Sequence, residues 1–204
     1  MKSIADKILK DICKHEANWC FSQKDFLDIA GRNAIEQAFH RLLKEAEIRR
    51  VGRGLYDVPR YSDLLKITLS PDANQIAQAV ARKFGWRIIP TGAQAANMLN
   101  LSTQVPMRVE YQSDGPTKAM TFGNRTIYFK RTSPKKLAAS ELGGLLINAL
   151  NCLGNKNVTL EIIAKLRSRF DVKQKRQLLE DARFGSDWVF EVIRQICNEG
   201  LSNE

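Results

Sequence analysis

The sequence predicts an α+β protein with an N-terminal winged helix-turn-helix and a second domain that joins a small antiparallel sheet to a helical C-terminal part. Three patterns lead to this fold class. Residues 21–58 contain two capped helix starts followed by a glycine-centred hairpin. Strand and turn patterns alternate over residues 108–131, and apolar residues at helical spacing recur from residue 133 onward.

The chain opens with a segment whose apolar residues predict a first helix over residues 3–14. Its inward positions are Ile4, Ile8, Leu9 and Ile12. The N-terminus carries Lys2 and Asp6, which is too charged for a secretory signal, and no apolar run approaches the roughly 20 residues that cross a bilayer. We therefore expect a cytoplasmic protein with no membrane contact.

The first helix of the pair is predicted to begin at Gln23, to carry Phe26, Leu27 and Ile29, and to end at Ala30 and Gly31. Ser22 stands three residues before Asp25, the spacing of a capping box, in which a hydroxyl and a carboxylate accept two otherwise free backbone amides. Phe21 and Phe26 have the spacing of a hydrophobic staple across that cap.

The second helix is predicted to follow a turn at Gly31, where a glycine permits a positive φ. Asn33 and Glu36 have the spacing of a cap for this helix. One face is apolar and is expected to pack inward through Ile35, Ala38, Phe39, Leu42, Leu43 and Ala46. The opposite face is polar, and its N-terminal part can meet base edges if the helix enters a major groove.

A hairpin follows this helix directly. Two short strands, at residues 48–51 and 55–58, flank Gly52-Arg53-Gly54, so Arg53 lies at the tip and can reach a phosphate or the minor groove. Because side chains alternate along a strand, at most one of Arg49 and Arg50 faces DNA. The helix face and the hairpin together predict the DNA-binding residues Arg32, Asn33, Gln37, His40, Arg41, Lys44, Arg50 and Arg53.

Other interpretations of this segment stay open. Helix pairs with a hairpin also serve as dimerisation or protein-docking modules, and a polar helix face is often only solvated. Asn33 can be occupied by capping, and His40 can be an ordinary surface histidine. Gln37, Arg41 and Arg53 are therefore the strongest candidates for DNA contact.

Residues 1–62 are expected to form the first domain and residues 70–204 the second. The predicted elements of the second domain are, in order, a helix from Pro71 to Gly85, a strand at residues 86–89, a short helix within 91–101, an antiparallel meander over 108–131, a helix from Pro134 to Gly154, and three helices near 159–169, 172–182 and 186–198. In the last strand of the meander, Ile127 and Phe129 alternate with polar residues, so one face is expected to pack.

The charge distribution suits a polyanionic partner. The formal net charge is +10 over 204 residues, of which residues 61–150 carry +6 and residues 1–60 only +3. Most of the basic excess thus lies outside the predicted DNA-binding domain. We expect the middle region to contact either nucleic acid or an acidic protein surface.

The middle of the chain carries a further set of motifs. Residues 90–106 read Pro-Thr-Gly-Ala-Gln-Ala-Ala-Asn-Met-Leu-Asn-Leu-Ser-Thr-Gln-Val-Pro, and Ser113-Asp114-Gly115 and Phe129-Lys130-Arg131-Thr132-Ser133-Pro134 follow. In this order they resemble the second domain of AbiEi-type antitoxins, which belong to bacterial type IV, or abortive-infection, toxin-antitoxin systems. Arg50-Val51-Gly52-Arg53-Gly54-Leu55-Tyr56 resembles the wing of the same family, and the match covers roughly residues 1–155.

The resemblance implies a winged helix that binds operator DNA and represses the antitoxin-toxin operon. It also implies a second domain that serves neutralisation of a nucleotidyltransferase toxin. Operator contacts are then implied for positions from Arg32 to Lys44 and for Arg53. A glycine is usual in the family where this chain has Asn100, and because asparagine tolerates a left-handed backbone we expect the turn to be kept. The segment after Leu153 has no counterpart in the resemblance.

No catalytic, cofactor or metal site is expected. The neighbours Ser140-Glu141 and Glu180-Asp181 are expected to be solvated, and Asp114-Gly115 is the dipeptide of an ordinary hairpin turn. Gly143-Gly144 lacks the lysine and hydroxyl of a phosphate loop and favours close helix packing. The cysteines are too far apart for a zinc site and are expected to be reduced and mostly buried; they are Cys13, Cys20, Cys152 and Cys197.

We therefore expect a DNA-binding antitoxin and autorepressor that reads an inverted repeat in double-stranded operator DNA, a symmetric site that a homodimer would match. The alternative is a nucleic-acid-processing or single-strand-binding factor whose winged helix positions a substrate. This alternative uses four aromatic residues on predicted strands beside basic residues, as in proteins that stack single-stranded bases. They are Tyr111, Phe122, Tyr128 and Phe129.

Overall fold

A computed structural model describes residues 3–103 and 108–198 of the protein. Within these residues the chain forms eight α-helices and three small sheets, which confirms the mixed α+β class. Three parts of the sequence-based expectations lie outside the described residues. They are residues 1–2 of the expected first domain, the Gln104-Val105-Pro106 end of the middle motif and residues 199–204 of the expected second domain.

The chain divides into two compact units. The first comprises Met1–Trp86 and Met120–Ile127, and the second comprises Arg87–Ala119 and Tyr128–Glu204. This division differs from the boundary expected near residues 62–70, because the helix expected to open the second domain makes its contacts within the first unit.

The first unit begins with helix α1 (Ile4–Ile12), which a capping box between Ser3 and Asp6 starts. Ile8 and Ile12 pack into the core of this unit, while the remaining inward positions are partly covered. The core also receives Phe21, which is fully buried.

The first helix of the expected pair is a single 3₁₀ turn, Gln23–Phe26. The predicted capping box is confirmed, since Ser22 Oγ accepts from the Lys24 amide at 3.3 Å and Asp25 Oδ2 accepts from the Ser22 amide at 2.7 Å. The staple is also confirmed, with the Phe21 and Phe26 rings edge to face at 5.5 Å. The expectation of a longer helix was wrong: the turn ends at Phe26, Leu27 is 53% exposed, and Ile29 and Ala30 reach the core from outside any helix.

The second helix, α2, spans Arg32–Lys44. Two local expectations about its start were wrong. Gly31 has φ −65°, not a positive φ, and it is itself the N-cap residue, so neither Asn33 nor Glu36 caps the helix. The predicted apolar face is otherwise correct, with Ile35, Ala38, Phe39 and Leu42 buried and Leu43 partly buried, but Ala46 is exposed beyond the helix end.

A three-stranded sheet completes this part of the unit. Its strands are β1 (Cys20–Phe21), β2 (Arg49–Gly52) and β3 (Leu55–Asp57), in the order β1-β3-β2. Both pairings are antiparallel, and β2 and β3 form the predicted hairpin. The sequence did not reveal β1, because a two-residue strand leaves no alternation to detect.

The segment after the hairpin contains two short antiparallel strands, β4 (Tyr61–Ser62) and β5 (Ile67–Thr68). Helix α3 (Ala73–Phe84) follows. Asp72 caps it by accepting from the Gln75 amide at 3.0 Å, so Pro71 precedes the helix rather than opening it as expected. The helix ends at Gly85, as predicted, and this residue takes the left-handed region at φ 71°, while Phe84 before it is 46% exposed.

A four-stranded sheet contains β6 (Ile88–Pro90), β7 (Val109–Ser113), β8 (Lys118–Phe122) and β9 (Arg125–Arg131). The predicted strands are present, but the order β6-β7-β9-β8 is not that of a meander, because β9 rather than β8 pairs with β7. Ile127 and Phe129 are buried as expected. Between β6 and β7 lies the short helix α4 (Gly92–Met98), and Asn100 beyond it takes the expected left-handed backbone at φ 55°.

Helices α5 (Glu141–Leu153), α6 (Leu160–Arg169), α7 (Val172–Asp181) and α8 (Asp187–Cys197) form the C-terminal part and share one apolar core with α4. The last three lie within two residues of their predicted bounds. The start predicted at Ser133-Pro134 was wrong: Pro134–Leu137 is a separate 3₁₀ turn, and Ser140 caps α5 by accepting from the Gly143 amide at 3.1 Å.

The diglycine of α5 is a close-packing site, as predicted. A Cβ at Gly143 would lie 2.6 Å from Asp181 Cγ, and one at Gly144 would collide with Ile89. Asp181 is not solvated as expected: it is 4% exposed, accepts from the Ser140 amide at 3.0 Å and also hydrogen-bonds Ser140 Oγ. The carboxylate thereby holds the start of α5 against the end of α7.

Gly143→Ala should lower the free energy of unfolding by roughly 1–3 kcal/mol, because the added methyl must displace the buried Asp181 side chain. Urea denaturation followed by circular dichroism measures the change. Asn151→Ala, at an exposed position of the same helix, is the control and should shift stability by less than about 0.5 kcal/mol. Equal midpoints for the two variants would contradict the packing described.

Candidate nucleic-acid interface

The outer face of α2 presents polar and basic side chains to solvent. Its buried face is held by Ile35, Phe39 and Leu42, which fixes the direction of the opposite side. All the α2 residues expected at DNA are exposed: Arg32, Asn33, Gln37, His40, Arg41 and Lys44. The structure therefore places this predicted set on one accessible helix.

Arg41 and Asn33 on the outer face of α2 stay accessible, although Arg41 forms an ion pair. Arg41 Nε lies 2.9 Å from Glu45 Oε1, and both side chains are about half exposed or more. An exposed pair of this kind contributes little to stability and exchanges readily with other partners. Because Gly31 is the N-cap, the side chain of Asn33 is not consumed by capping. Arg41 and Asn33 are thus both available to a ligand on this face.

The hairpin separates the roles of its two adjacent arginines. Arg49 is bound to the buried carboxylate of Asp57 through two hydrogen bonds, of 3.0 and 2.6 Å, and also donates to the Leu69 carbonyl. The hydrogen bond with Asp57 raises the pKa of Arg49. Arg50 is exposed. Arg50 is therefore the one of the pair that can face a ligand, and Arg49 holds the hairpin.

The tip of the hairpin carries Arg53, which is exposed between two glycines. Gly54 has φ 66°, the left-handed region that favours glycine. Gly52 is needed for space, because a Cβ there would lie 2.7 Å from the Phe122 ring. These two glycines permit the tight turn that places Arg53 at the tip.

Two basic residues beside this tip are not apparent from the sequence. Lys24 and Lys83 line a cavity of about 320 Å³ together with Arg32 and Arg53. We call it the cationic cavity, defined by these four side chains. Lys24 belongs to the 3₁₀ turn and Lys83 to α3, so their proximity depends on packing between elements about 60 residues apart, which no local pattern could reveal.

The ammonium groups of the cationic cavity are held by backbone carbonyls. Lys24 Nζ donates to the Lys83 carbonyl at 2.7 Å, and Lys83 Nζ donates to the Arg53 carbonyl at 2.6 Å. Burial lowers the pKa of Lys83, and the positive charges of Arg53, Lys24 and Arg50 lower it further. The cavity is thus a region of positive potential.

The second unit contains a separate cavity of about 440 Å³, lined in part by Gly92, Asn148, Asn151 and Cys152. Among the described residues of its lining there is no carboxylate, histidine or basic side chain that could act on the Cys152 thiol. Cys152 and Cys13 are exposed, contrary to the expectation of mostly buried thiols, whereas burial raises the pKa of Cys20 to about 12 and that of Cys197 to about 11.

The aromatic residues of the single-strand alternative are largely inaccessible. Tyr111, Phe122 and Phe129 are buried, and Tyr128 is half-buried with the Arg108 guanidinium 5.5 Å from its ring centre. Three of the four therefore cannot stack on bases in this structure.

Residues 7–178 match the model of DUF6088, described as a family of unknown function. The chain belongs to this family. The DUF6088 chain matches none of the curated proteins. Among solved structures it is similar to the RV2827C protein from Mycobacterium tuberculosis, at 12% identity and a TM-score of 0.40, over 97% of this chain and 77% of that one.

In the described part of the DUF6088 chain, no helix combines the length and the apolar character needed to cross a membrane. Over the same residues, no group of three or more His, Cys, Asp and Glu side chains is arranged to hold a metal ion.

Asp57→Asn should lower the free energy of unfolding by roughly 1–3 kcal/mol, because it removes the charge that two Arg49 donors bind in a buried setting. Guanidinium denaturation measures the loss. The control is Asp63→Asn, which removes an exposed carboxylate and should leave the midpoint unchanged. Equal midpoints would show that the Arg49–Asp57 pair does not stabilise the hairpin.

Proposed function

We propose that this DUF6088 protein is a DNA-binding antitoxin and the autorepressor of a type IV toxin-antitoxin operon. Its first unit is a winged helix-turn-helix that binds double-stranded DNA, with α2 as the recognition helix and the β2–β3 hairpin as the wing. The part that follows serves neutralisation of a nucleotidyltransferase-type toxin.

One observation carries the DNA-binding part of the proposal. The eight residues expected at DNA are all exposed, on the outer face of one helix and on the hairpin that follows it. A helix of 13 residues with an apolar inner face can lie in a major groove, where Gln37 and Asn33 are suited to adenine and Arg41 to guanine. A hairpin beside it supplies the phosphate contacts that fix the register.

The local electrostatics support the same assignment. Asp57 is bound to Arg49, and Asp25 is bound to Arg82 with Nε and Oδ1 3.0 Å apart, so two carboxylates near the hairpin and the 3₁₀ turn are neutralised internally. Arg50 and Arg53 on the hairpin remain exposed. Exposed arginines whose acidic neighbours are already paired favour attraction to phosphates.

The antitoxin part rests on the resemblance of the middle motifs to AbiEi-type antitoxins. The left-handed backbone at Asn100 supports it, since the glycine usual there would serve the same turn. An adjacent reading frame for a nucleotidyltransferase would support it further, and operator repression requires the protein in the cytoplasm. A two-fold symmetric operator would be bound by a homodimer.

Gln37→Ala should reduce the preference of the protein for its own promoter over random duplex by about 1–3 kcal/mol, because it removes a base contact. Arg53→Ala should weaken binding to both duplexes equally, because it removes a phosphate contact. The plot of the log association constant against log salt should become less steep, its negative slope falling in magnitude by about 1. Fluorescence anisotropy with both duplexes over a salt series measures both effects.

The matched controls are Gln195→Ala and Arg194→Ala, which remove the same residue types from exposed positions of α8 and should change neither quantity. If the unmodified protein binds its own promoter no better than random duplex at physiological salt, the repressor assignment is wrong.

The double variant Gln37→Ala, Arg53→Ala should still neutralise the toxin when both are expressed from unrelated promoters, because the proposal places neutralisation outside the winged helix. Growth after toxin induction measures this. Continued growth arrest, with the variant folded by circular dichroism, would show that the DNA-binding surface itself takes part in neutralisation.

A further inference from the structure

The cationic cavity brings together basic residues from four elements. Lys24 comes from the 3₁₀ turn, Arg32 opens α2, Arg53 lies at the hairpin tip and Lys83 is near the end of α3. No carboxylate belongs to its lining among the described residues. Like charges gathered around a concave surface without a counter-charge raise the local concentration of anions.

The acidic residue next to Lys24 in the chain does not neutralise the cavity. Asp25 accepts from the Ser22 amide at 2.7 Å and the Ser22 hydroxyl at 3.1 Å, and its other oxygen accepts from Arg82 Nε at 3.0 Å. Its side chain is only 12% exposed. The charge of Asp25 is therefore committed to Ser22 and Arg82.

The two lysines are positioned but retain donors. Each ammonium has three N–H donors and uses one on a backbone carbonyl, Lys24 on Lys83 and Lys83 on Arg53. These bonds limit the motion of the long side chains, so less entropy is lost when an anion binds. The lowered pKa of Lys83 agrees with this arrangement, because a bound anion would relieve the repulsion from the neighbouring cations.

The start of α2 adds to the same attraction. Arg32 is the first residue of a 13-residue helix whose N-cap, Gly31, offers no side-chain acceptor to the free amides. Leu27, which is 53% exposed, forms an apolar part of the lining. A cavity of about 320 Å³ with cations and one apolar wall suits a phosphate attached to a sugar better than a bare ion.

We propose that the cationic cavity binds a phosphodiester group of the DNA backbone, with Lys24 and Lys83 as phosphate contacts beside Arg32 and Arg53. This inference rests on the proposed DNA-binding function and extends it to a clamp at the junction of wing, recognition helix and α3. The contact is independent of sequence, because it involves no base edge. It would fix how deeply the start of α2 enters the major groove.

The test uses the full chain and the variants Lys24→Gln and Lys83→Gln. Anisotropy titrations over a salt series are made with the protein's own promoter and with random duplex. Each variant should weaken both duplexes by the same factor and reduce the slope of log K against log salt by about 0.9, the value for one lost phosphate contact. Lys173→Gln, an exposed lysine of α7, is the matched control and should leave the slope unchanged.

A second arm separates a DNA phosphate from a free anion. Thermal melting is compared in sodium phosphate and sodium chloride at equal ionic strength, for the unmodified protein and for both variants. If phosphate raises the Tm through these lysines while the slopes on DNA stay unchanged, the cavity takes a free anion and the backbone assignment is overturned.

Unchanged DNA slopes in both folded lysine variants, without any effect of phosphate on the Tm, would overturn the site altogether. Failure of the proposed function has a different signature: the unmodified protein would show no preference for its own promoter, while the lysine variants would still reduce the salt slope on random duplex.

Discussion

Asp25 receives hydrogen bonds from two directions in the first unit. The amide and the hydroxyl of Ser22, at the start of the 3₁₀ turn, donate to one carboxylate oxygen. Arg82 on α3 donates to the other oxygen. Arg82 also donates to the Cys20 carbonyl of β1 at 2.6 Å and lies 5.4 Å from the Trp19 ring centre. The Asp25 carboxylate and the Arg82 guanidinium together connect β1 and the neighbouring 3₁₀ turn to α3, which lies about 60 residues further along the chain, and the surface beside these elements depends on this connection.

The ion pair between Asp25 and Arg82 also affects which basic side chains of the unit stay unpaired. Because Asp25 and Asp57 each bind an arginine within the unit, other basic side chains on the same elements remain unneutralised. Lys24 follows the cap of the 3₁₀ turn and Lys83 follows Arg82, so the interaction that stabilises the unit also sets two cations side by side. The proposed phosphate site would then depend on the same Asp25–Arg82 pair that stabilises the unit.

Local features were predictable from sequence because their causes lie within a few residues. The Ser22–Asp25 capping box, the end of α3 at Gly85 and the alternation of Ile127 and Phe129 depend only on near neighbours. Features that depend on distant packing were missed. The order of the four-stranded sheet, the burial of Asp181 against Ser140 and the two-residue strand β1 leave no local signature.

The candidate site shows the same division. The outer face of α2 and the Arg53 tip follow from helical spacing and a glycine-flanked turn, whereas the contribution of Lys24 and Lys83 depends on where α3 packs. The start of α2 was predicted at the wrong residue, because Asn33 and Glu36 have the spacing of a cap. Gly31 is the N-cap instead, and Asn33 lies exposed within the helix. Ile35 and Phe39 are buried whichever of the two residues starts the helix, so the apolar pattern does not distinguish between these starts.

In the proposed complex, one surface of the first unit, made by the start of α2 and the hairpin tip, lies against duplex DNA. Backbone amide chemical shifts followed by NMR, as a duplex of the protein's own promoter is added, test this placement. We expect the largest shifts at residues 32–41 and 50–54, and we expect them to diminish as salt is raised. Shifts confined to the second unit, or none at duplex concentrations that saturate binding, would contradict it.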